Sequence, residues 1–185
     1  SFNRLLNADA VKTPILVESN AALKRTTQVF ERGNWLVKGK VVEPAIPAVF
    51  GGKPDVSADR SRLADWLVSD ENPLTARVLV NRIWEQLFGQ GIVETLEDFG
   101  TQGIPPTHQE LLDHLAWKFM KEDNWSLKKL IRRMVLSATY QQQSAATADA
   151  IQKDPSNKWS ARGPRYRLSA EQIRDQALYI SGKLS

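Results

Sequence analysis

Between Glu97 and His108 the segment EDFGTQGIPPTH brings together two adjacent carboxylates, two glycines and one of the chain's two histidines. A histidine titrates near neutral pH, and a carboxylate such as Asp98 can orient its ring, so His108 and Asp98 form a candidate general base and its positioning partner. Gly100 and Gly103 permit close backbone approach, and a helix starting near Thr107 would aim free N–H groups at an anion. Upstream, Arg77 and Asn81 stand one helical turn apart and offer a guanidinium and an amide to the same ligand. Arg77, Asn81, Asp98 and His108 therefore read as a pocket for an anionic or carbohydrate substrate. The same residue types support a structural reading, a network of ion pairs through Arg77, Asp98, Asp113, Glu171, Arg174 and Asp175. The sequence alone leaves both readings open.

Other chemistries find less support. The chain has no cysteine, which removes disulfides, thiolate metal sites, a cysteine nucleophile and a covalently attached c-type haem. No Gly-x-Ser-x-Gly elbow and no phosphate-binding P-loop occurs, so no catalytic motif is identified. His108 and His114 lie six residues apart, about 120° from each other around a helix, which is no shared ligand face, and no metal or cofactor is expected. Of the six tryptophans, Trp66 and Trp84 fit helix core positions, whereas Trp117 points outward and Trp35, Trp125 and Trp159 fall in or beside loops. An outward tryptophan stacks on a sugar face or covers a neighbouring domain, which adds a carbohydrate-binding alternative.

These residues need helices to position them. Apolar spacing, Asn and Ser caps, a proline at a first helical position and Ser/Thr-x-x-Glu/Gln patterns predict helices over approximately residues 60–69, 73–88, 107–121, 126–138 and 169–181. Asn72 caps the second, and THQE at Thr107 and SAEQ at Ser169 read as capping boxes. Counting about 100° per residue places Arg77 inside the arc of Ala76, Val80, Trp84, Leu87 and Phe88. Arg174 falls likewise among Ile173, Ala177, Leu178 and Ile180. Both guanidiniums are expected to be buried and paired, with Asp98 the first choice for Arg77. On the helix SLKKLIRRMVL, Lys128, Lys129, Arg132 and Arg133 form a cationic face, read as solvated or docking rather than as a nucleic-acid recognition helix.

The organisation follows from composition. With 185 residues and 42% hydrophobic content the chain can bury a sizeable core, and a net charge of +4 argues only weakly for an anionic partner. Residues 1–58 are broken by Gly and Pro and carry β-branched runs at Thr13–Ser19 and around Thr26–Gly33, predicting an extended lead-in with short strands. Residues 59–185 predict a mainly α domain of about five helices, with a loose polar stretch from Gln141 to Arg165. No long apolar run predicts a membrane span. The chain begins at Ser1 without methionine and reads as part of a longer polypeptide.

The ordered series LADWLVSDENPLTARVLVNRIWEQLFGQGIVETLEDFGTQGIPPTHQELLDHLAWKFM, NWSLKKLIRRMVLSATYQQQS, DPSNKW and RYRLSAEQIRDQALYISGKL resembles the planctomycete-type secreted domain known as domain of unknown function 1553. RGNWLVKGKVVEPAIPAVF resembles that family's lead-in. Gln109 stands where the family usually has proline and His114 where it usually has tryptophan, and the family normally continues past SGKLS. The resemblance implies export to the periplasm or beyond, and a multidomain parent that often carries a cytochrome-c-like haem domain. It implies no known activity. The expected role is a structural and interaction module whose partners are other domains of the same polypeptide, with an enzyme or a carbohydrate-binding module as alternatives and no nucleic acid.

Overall fold

The computed structural model describes residues 21–23, 25–51 and 59–184. The chain divides into two compact units, Ser1–Glu71 and Asn72–Ser185.

In the first unit, β1 (Gln28–Phe30) and β2 (Lys38–Val41) pair antiparallel, Gln28 opposite Val41 and Phe30 opposite Lys38, with an irregularity between the two pairs. Helix α1 (Arg60–Leu67) starts at Asp59, whose Oδ1 accepts from the Arg62 N–H at 2.9 Å. Phe50 packs beside Trp66 with ring centroids 5.8 Å apart. The expected strand at Thr13–Ser19 lies outside the described residues.

The second unit is mainly helical. Helices α2 (Thr75–Phe88), α3 (Gln109–Lys121) and α4 (Leu127–Val135) pack together, joined downstream by α5 (Ala148–Lys153) and α6 (Ala170–Ile180). Their core holds Ala76, Val80, Trp84 and Phe88 from α2, Leu112, Leu115, Ala116 and Phe119 from α3, and Leu130 and Met134 from α4. These are the i, i+3, i+4 positions of each apolar arc, and burying them supplies the drive that short helices lack alone. Within the core Trp84 stacks on Phe88 at 3.9 Å, and Phe88 meets the edge of Tyr140 at 5.4 Å. The fold is mainly α with a short N-terminal β appendage, and no helix among the described residues is long and apolar enough to cross a membrane.

Asn72 is buried, and its Oδ1 accepts from the N–H groups of Leu74 and Thr75 at 2.9 and 3.1 Å. Ser169 forms the expected capping box with Gln172. Thr107 does not: His108 occupies the α3 N-cap without a side-chain cap bond, because the Thr107 N–H and hydroxyl both turn back to the Ile92 carbonyl, at 2.9 and 3.2 Å. Helix α4 ends three residues before the expected Ala138, where the Ser137 hydroxyl donates to the Met134 carbonyl at 2.6 Å. The stretch from Gln141 to Arg165, expected to be loose, holds α5, capped by Thr147, and a tied loop beyond it.

Past the α2 C-cap at Gly89 the chain enters a buried extended stub, Ile92–Val93. Asn81, fully buried on α2, donates from Nδ2 to the Val93 carbonyl and accepts from the Val93 N–H at Oδ1, both at 2.9 Å. One amide side chain thus satisfies both backbone groups of a residue with no strand neighbour. The approach is so close that a Cβ on Gly91 would lie 2.5 Å from the Val93 oxygen and 2.9 Å from Asn81 Nδ2. Replacing Asn81 by leucine strands two buried backbone groups at about 1–3 kcal/mol each, so urea unfolding of Asn81→Leu should show a loss of about 2–5 kcal/mol. A loss below about 1 kcal/mol would show that the clamp is dispensable.

Candidate functional site

The segment singled out for chemistry, residues 97–108, lies in a loop between α2 and α3 whose polar groups are largely spent on the loop itself. The Thr95 hydroxyl donates to the Asp98 carbonyl at 2.7 Å and accepts from the Ile104 N–H at 3.0 Å. The Asp98 carboxylate accepts from the Gly100 N–H at 2.6 Å and has no ionic partner among the described residues. Gly103 is required here, since a Cβ would sit 2.1 Å from the Asp98 carbonyl oxygen.

Beneath this loop lies a groove of about 390 Å³, walled by Phe99, Ile104, Pro105 and Pro106 on one side and by Arg77, Gln109 and Leu112 on the other. Arg77 does not reach Asp98. Its Nε donates to Asp113 Oδ1 at 2.6 Å and its Nη1 to the Pro73 carbonyl, while Gln109 Nε2 donates to Asp113 Oδ2 at 3.0 Å. The Arg77 hydrogen bond, and then that of Gln109, hold the Asp113 carboxyl below the usual aspartate range. The expected burial is not found: the Arg77 side chain is 34% exposed and that of Asp113 40%. Its aliphatic stem follows the apolar arc, and the long side chain carries the head to the groove's edge.

The remaining candidates do not converge there. Asn81 is buried in the Val93 clamp. His108 lies against a different depression, its Nδ1 2.9 Å from the Thr107 hydroxyl and its ring edge-on to Trp159 with centroids 5.7 Å apart. Arg174 is exposed and among the described residues pairs with its neighbour Asp175, at 3.0 Å with side chains 72% and 54% exposed. Glu171 sits in the open first turn of α6, where a backbone hydrogen bond and the Ser169 hydroxyl lower its pKa. Among the described residues, the six charged side chains expected to form one network are therefore two separate pairs and two acids with no ionic partner. No group of three or more His, Asp or Glu side chains among the described residues is placed to hold a metal ion.

Sequence reasoning missed the one carboxylate that is buried among the described residues. Asp123, in the α3–α4 turn, is 4% exposed and accepts from Arg133 Nη2 at 2.8 Å, with Glu122 a further partner of that nitrogen at 3.3 Å. The Asp123 hydrogen bond raises the Arg133 pKa above its already high usual value. Arg133 thus leaves the cationic face, which reduces to Lys128, Lys129 and Arg132, all exposed. The available signal was local: EDNW breaks one helix, and Asn124 and Trp125 both adopt left-handed conformations, φ 48° and 59°, which bring Asp123 back over the following helix.

Two outcomes are expected. In a double-mutant cycle Arg77→Met and Asp113→Asn should couple by no more than about 1 kcal/mol, as solvent screens a partly exposed pair. Because the folded Asp113 pKa is depressed, that coupling is present above the ordinary aspartate value of about 3.9 and fades as pH falls through the lower folded value. A coupling that persists unchanged in acid would contradict the pairing. By contrast Arg133→Gln strands a buried carboxylate and should cost about 1–3 kcal/mol in urea unfolding, whereas Lys129→Gln stays within about 0.5 kcal/mol; equal effects would refute the distinction.

Compared with known proteins, residues 59–185 match a family described as PSD1, Protein of unknown function (DUF1553). No curated protein and no solved structure matches the chain.

Proposed function

We propose, for a chain that belongs to the DUF1553 family, a non-catalytic role as an interaction module of a larger exported polypeptide. The observation that carries this reading is α6. Its apolar side is open to solvent, with Ile173 46% and Ile180 77% exposed. Helical phase places Ile173, Ala177 and Ile180 along one stripe at spacings of four and three residues. An uncovered stripe of this kind marks a surface that another protein element covers. The occupant on this reading is another domain of the same polypeptide, in some members of the family a haem domain. The enzyme reading has less support, since Arg77, Asn81, Asp98 and His108 each hold a structural bond and face different surroundings. Export rests on the resemblance of the helical series to the secreted family.

The native polypeptide tests both parts. It should be found in the exported fraction, and this chain should co-elute in size exclusion with a separately produced fragment carrying the rest of that polypeptide. Ile173→Asp with Ile180→Asp should abolish co-elution and leave the circular dichroism of the chain unchanged. Cytoplasmic retention would overturn the export claim. Failure to co-elute, or co-elution indifferent to the double substitution, would overturn the docking claim.

A further inference from the structure

The loop that follows α5 is built with more hydrogen bonds than its exposure requires. The Asp154 carboxylate accepts from the Lys158 and Trp159 N–H groups at 2.8 and 2.9 Å. Asn157 clamps Arg162 as Asn81 clamps Val93, donating to its carbonyl at 2.8 Å and accepting from its N–H at 3.2 Å. Arg162 Nη2 returns to the Asp154 and Pro155 carbonyls at 2.8 and 2.9 Å, and Gln142 Nε2 donates to the Ser160 carbonyl at 3.1 Å. Asn157 and Ser160 both hold left-handed backbone, φ 58° and 52°, a conformation that non-glycine residues adopt at some cost.

All this order presents one large side chain outward. Trp159 is 58% exposed, braced edge-on by His108. Its surroundings differ from those of the α6 stripe. At its chain neighbours Lys158 and Ser160 lies a depression with Gln90 and His108 on its polar wall and Trp84, Phe88 and Ile92 also lining it, with a cavity volume of about 10 Å³, room for a single hydroxyl. Among the described residues the Gln90 amide and the Ser160 hydroxyl form no hydrogen bond, and His108 uses only Nδ1. Lys158 is held toward Glu94 at 3.5 Å. A tryptophan meant to cover a neighbouring domain belongs in an apolar patch; an indole with three unspent hydrogen-bonding groups near it, on Gln90, Ser160 and His108, suits a ligand with one C–H face and a rim of hydroxyls.

We propose that Trp159 is the stacking platform of a carbohydrate subsite, taking a pyranose ring of a polysaccharide on its exposed face while Gln90, Ser160 or His108 Nε2 bonds an inward hydroxyl. The site lies on a different element from the α6 stripe and stands or falls without it. Rigidity is what the loop contributes: a preformed indole loses little conformational entropy when a weak ligand arrives.

Affinity electrophoresis of the whole chain through gels containing barley β-glucan, galactomannan or xylan tests the site; neutral polymers exclude simple attraction to a chain of net charge +4. At least one should retard the protein. Trp159→Ala should weaken that retardation about tenfold, Trp159→Phe should retain part of it, and Gln90→Ala should weaken it further than Trp117→Ala, which alters an outward tryptophan elsewhere. Thermal unfolding of each variant should match the parent, since the Trp159 backbone N–H rather than its ring ties the loop. Absence of retardation by all three polymers overturns the proposal, as does retardation that Trp159→Ala leaves intact.

Discussion

The double hydrogen bond between the Asn81 side chain and the backbone of Val93 is the constraint on which the helical unit rests. A two-residue stub buried against a helix would normally need a neighbouring strand to satisfy its peptide groups. Here a side-chain amide, which carries one donor and one acceptor at the right spacing, stands in for that strand. With Val93 fixed, the adjacent Ile92 carbonyl is aimed at Thr107, whose N–H and hydroxyl both close on it. The two ends of the loop are thereby pinned together and the start of α3 is set against α2. The groove beside Arg77 exists because of this closure, and so does the buried position of Ile92 next to Leu112, Trp84 and Phe88 in one core.

Burial, more than charge, sorts the ionic contacts. Arg77 and Asp113 have short, well-directed contact, yet solvent reaches both, so their attraction is screened and their role is to trim the groove's edge. Asp123 is different because its carboxylate cannot return to water without opening the α3–α4 turn. Its pairing with Arg133 contributes mainly by preventing an unpaired buried charge. That turn also brings Trp125 onto Phe119 with centroids 5.1 Å apart, so the ionic and aromatic contacts fix the same angle between helices.

Helix identity was legible because period, caps and glycine stops agreed with one another. The Ser169 capping box was read from residue type and spacing, and the core faces of α2 and α3 from phase. Asn72 does bond the N–H groups of Leu74 and Thr75, but α2 starts at Thr75 with Leu74 at its N-cap, two residues later than the expected start at Pro73. Phase failed where it had to stand for a partner. It placed Arg174 on an apolar side correctly, but burial needs something packed on that side, and Ile173 and Ile180 beside it are exposed. The Thr107 box failed for a related reason: its hydroxyl had a tertiary acceptor, Ile92, that local sequence does not reveal. The pairing of Asp123 with Arg133 escaped notice because two consecutive left-handed residues, neither of them glycine, reverse the chain there. The candidate site was least legible, since residues grouped by chemistry along the sequence were distributed by the fold to a groove, a clamp, a loop turn and a separate depression.

What separates scaffold from site in this chain is whether polar groups are already satisfied. In the loop between α2 and α3, rich in residues suited to chemistry, Thr95 and Asp98 bond their own backbone, and a ligand there would have to displace those bonds at a cost comparable to what it gained. Around Trp159 the order is reversed: half-buried side chains, those of Asp154, Asn157 and Arg162, secure the backbone and leave Gln90 and the Ser160 hydroxyl free among the described residues. The Asn157 clamp repeats the chemistry of the Asn81 clamp, but where Asn81 holds a core residue, Asn157 holds Arg162 in the loop that carries the exposed Trp159. The same side-chain amide thus serves stability at one position and display at the other, and the surroundings of the residue it holds decide which.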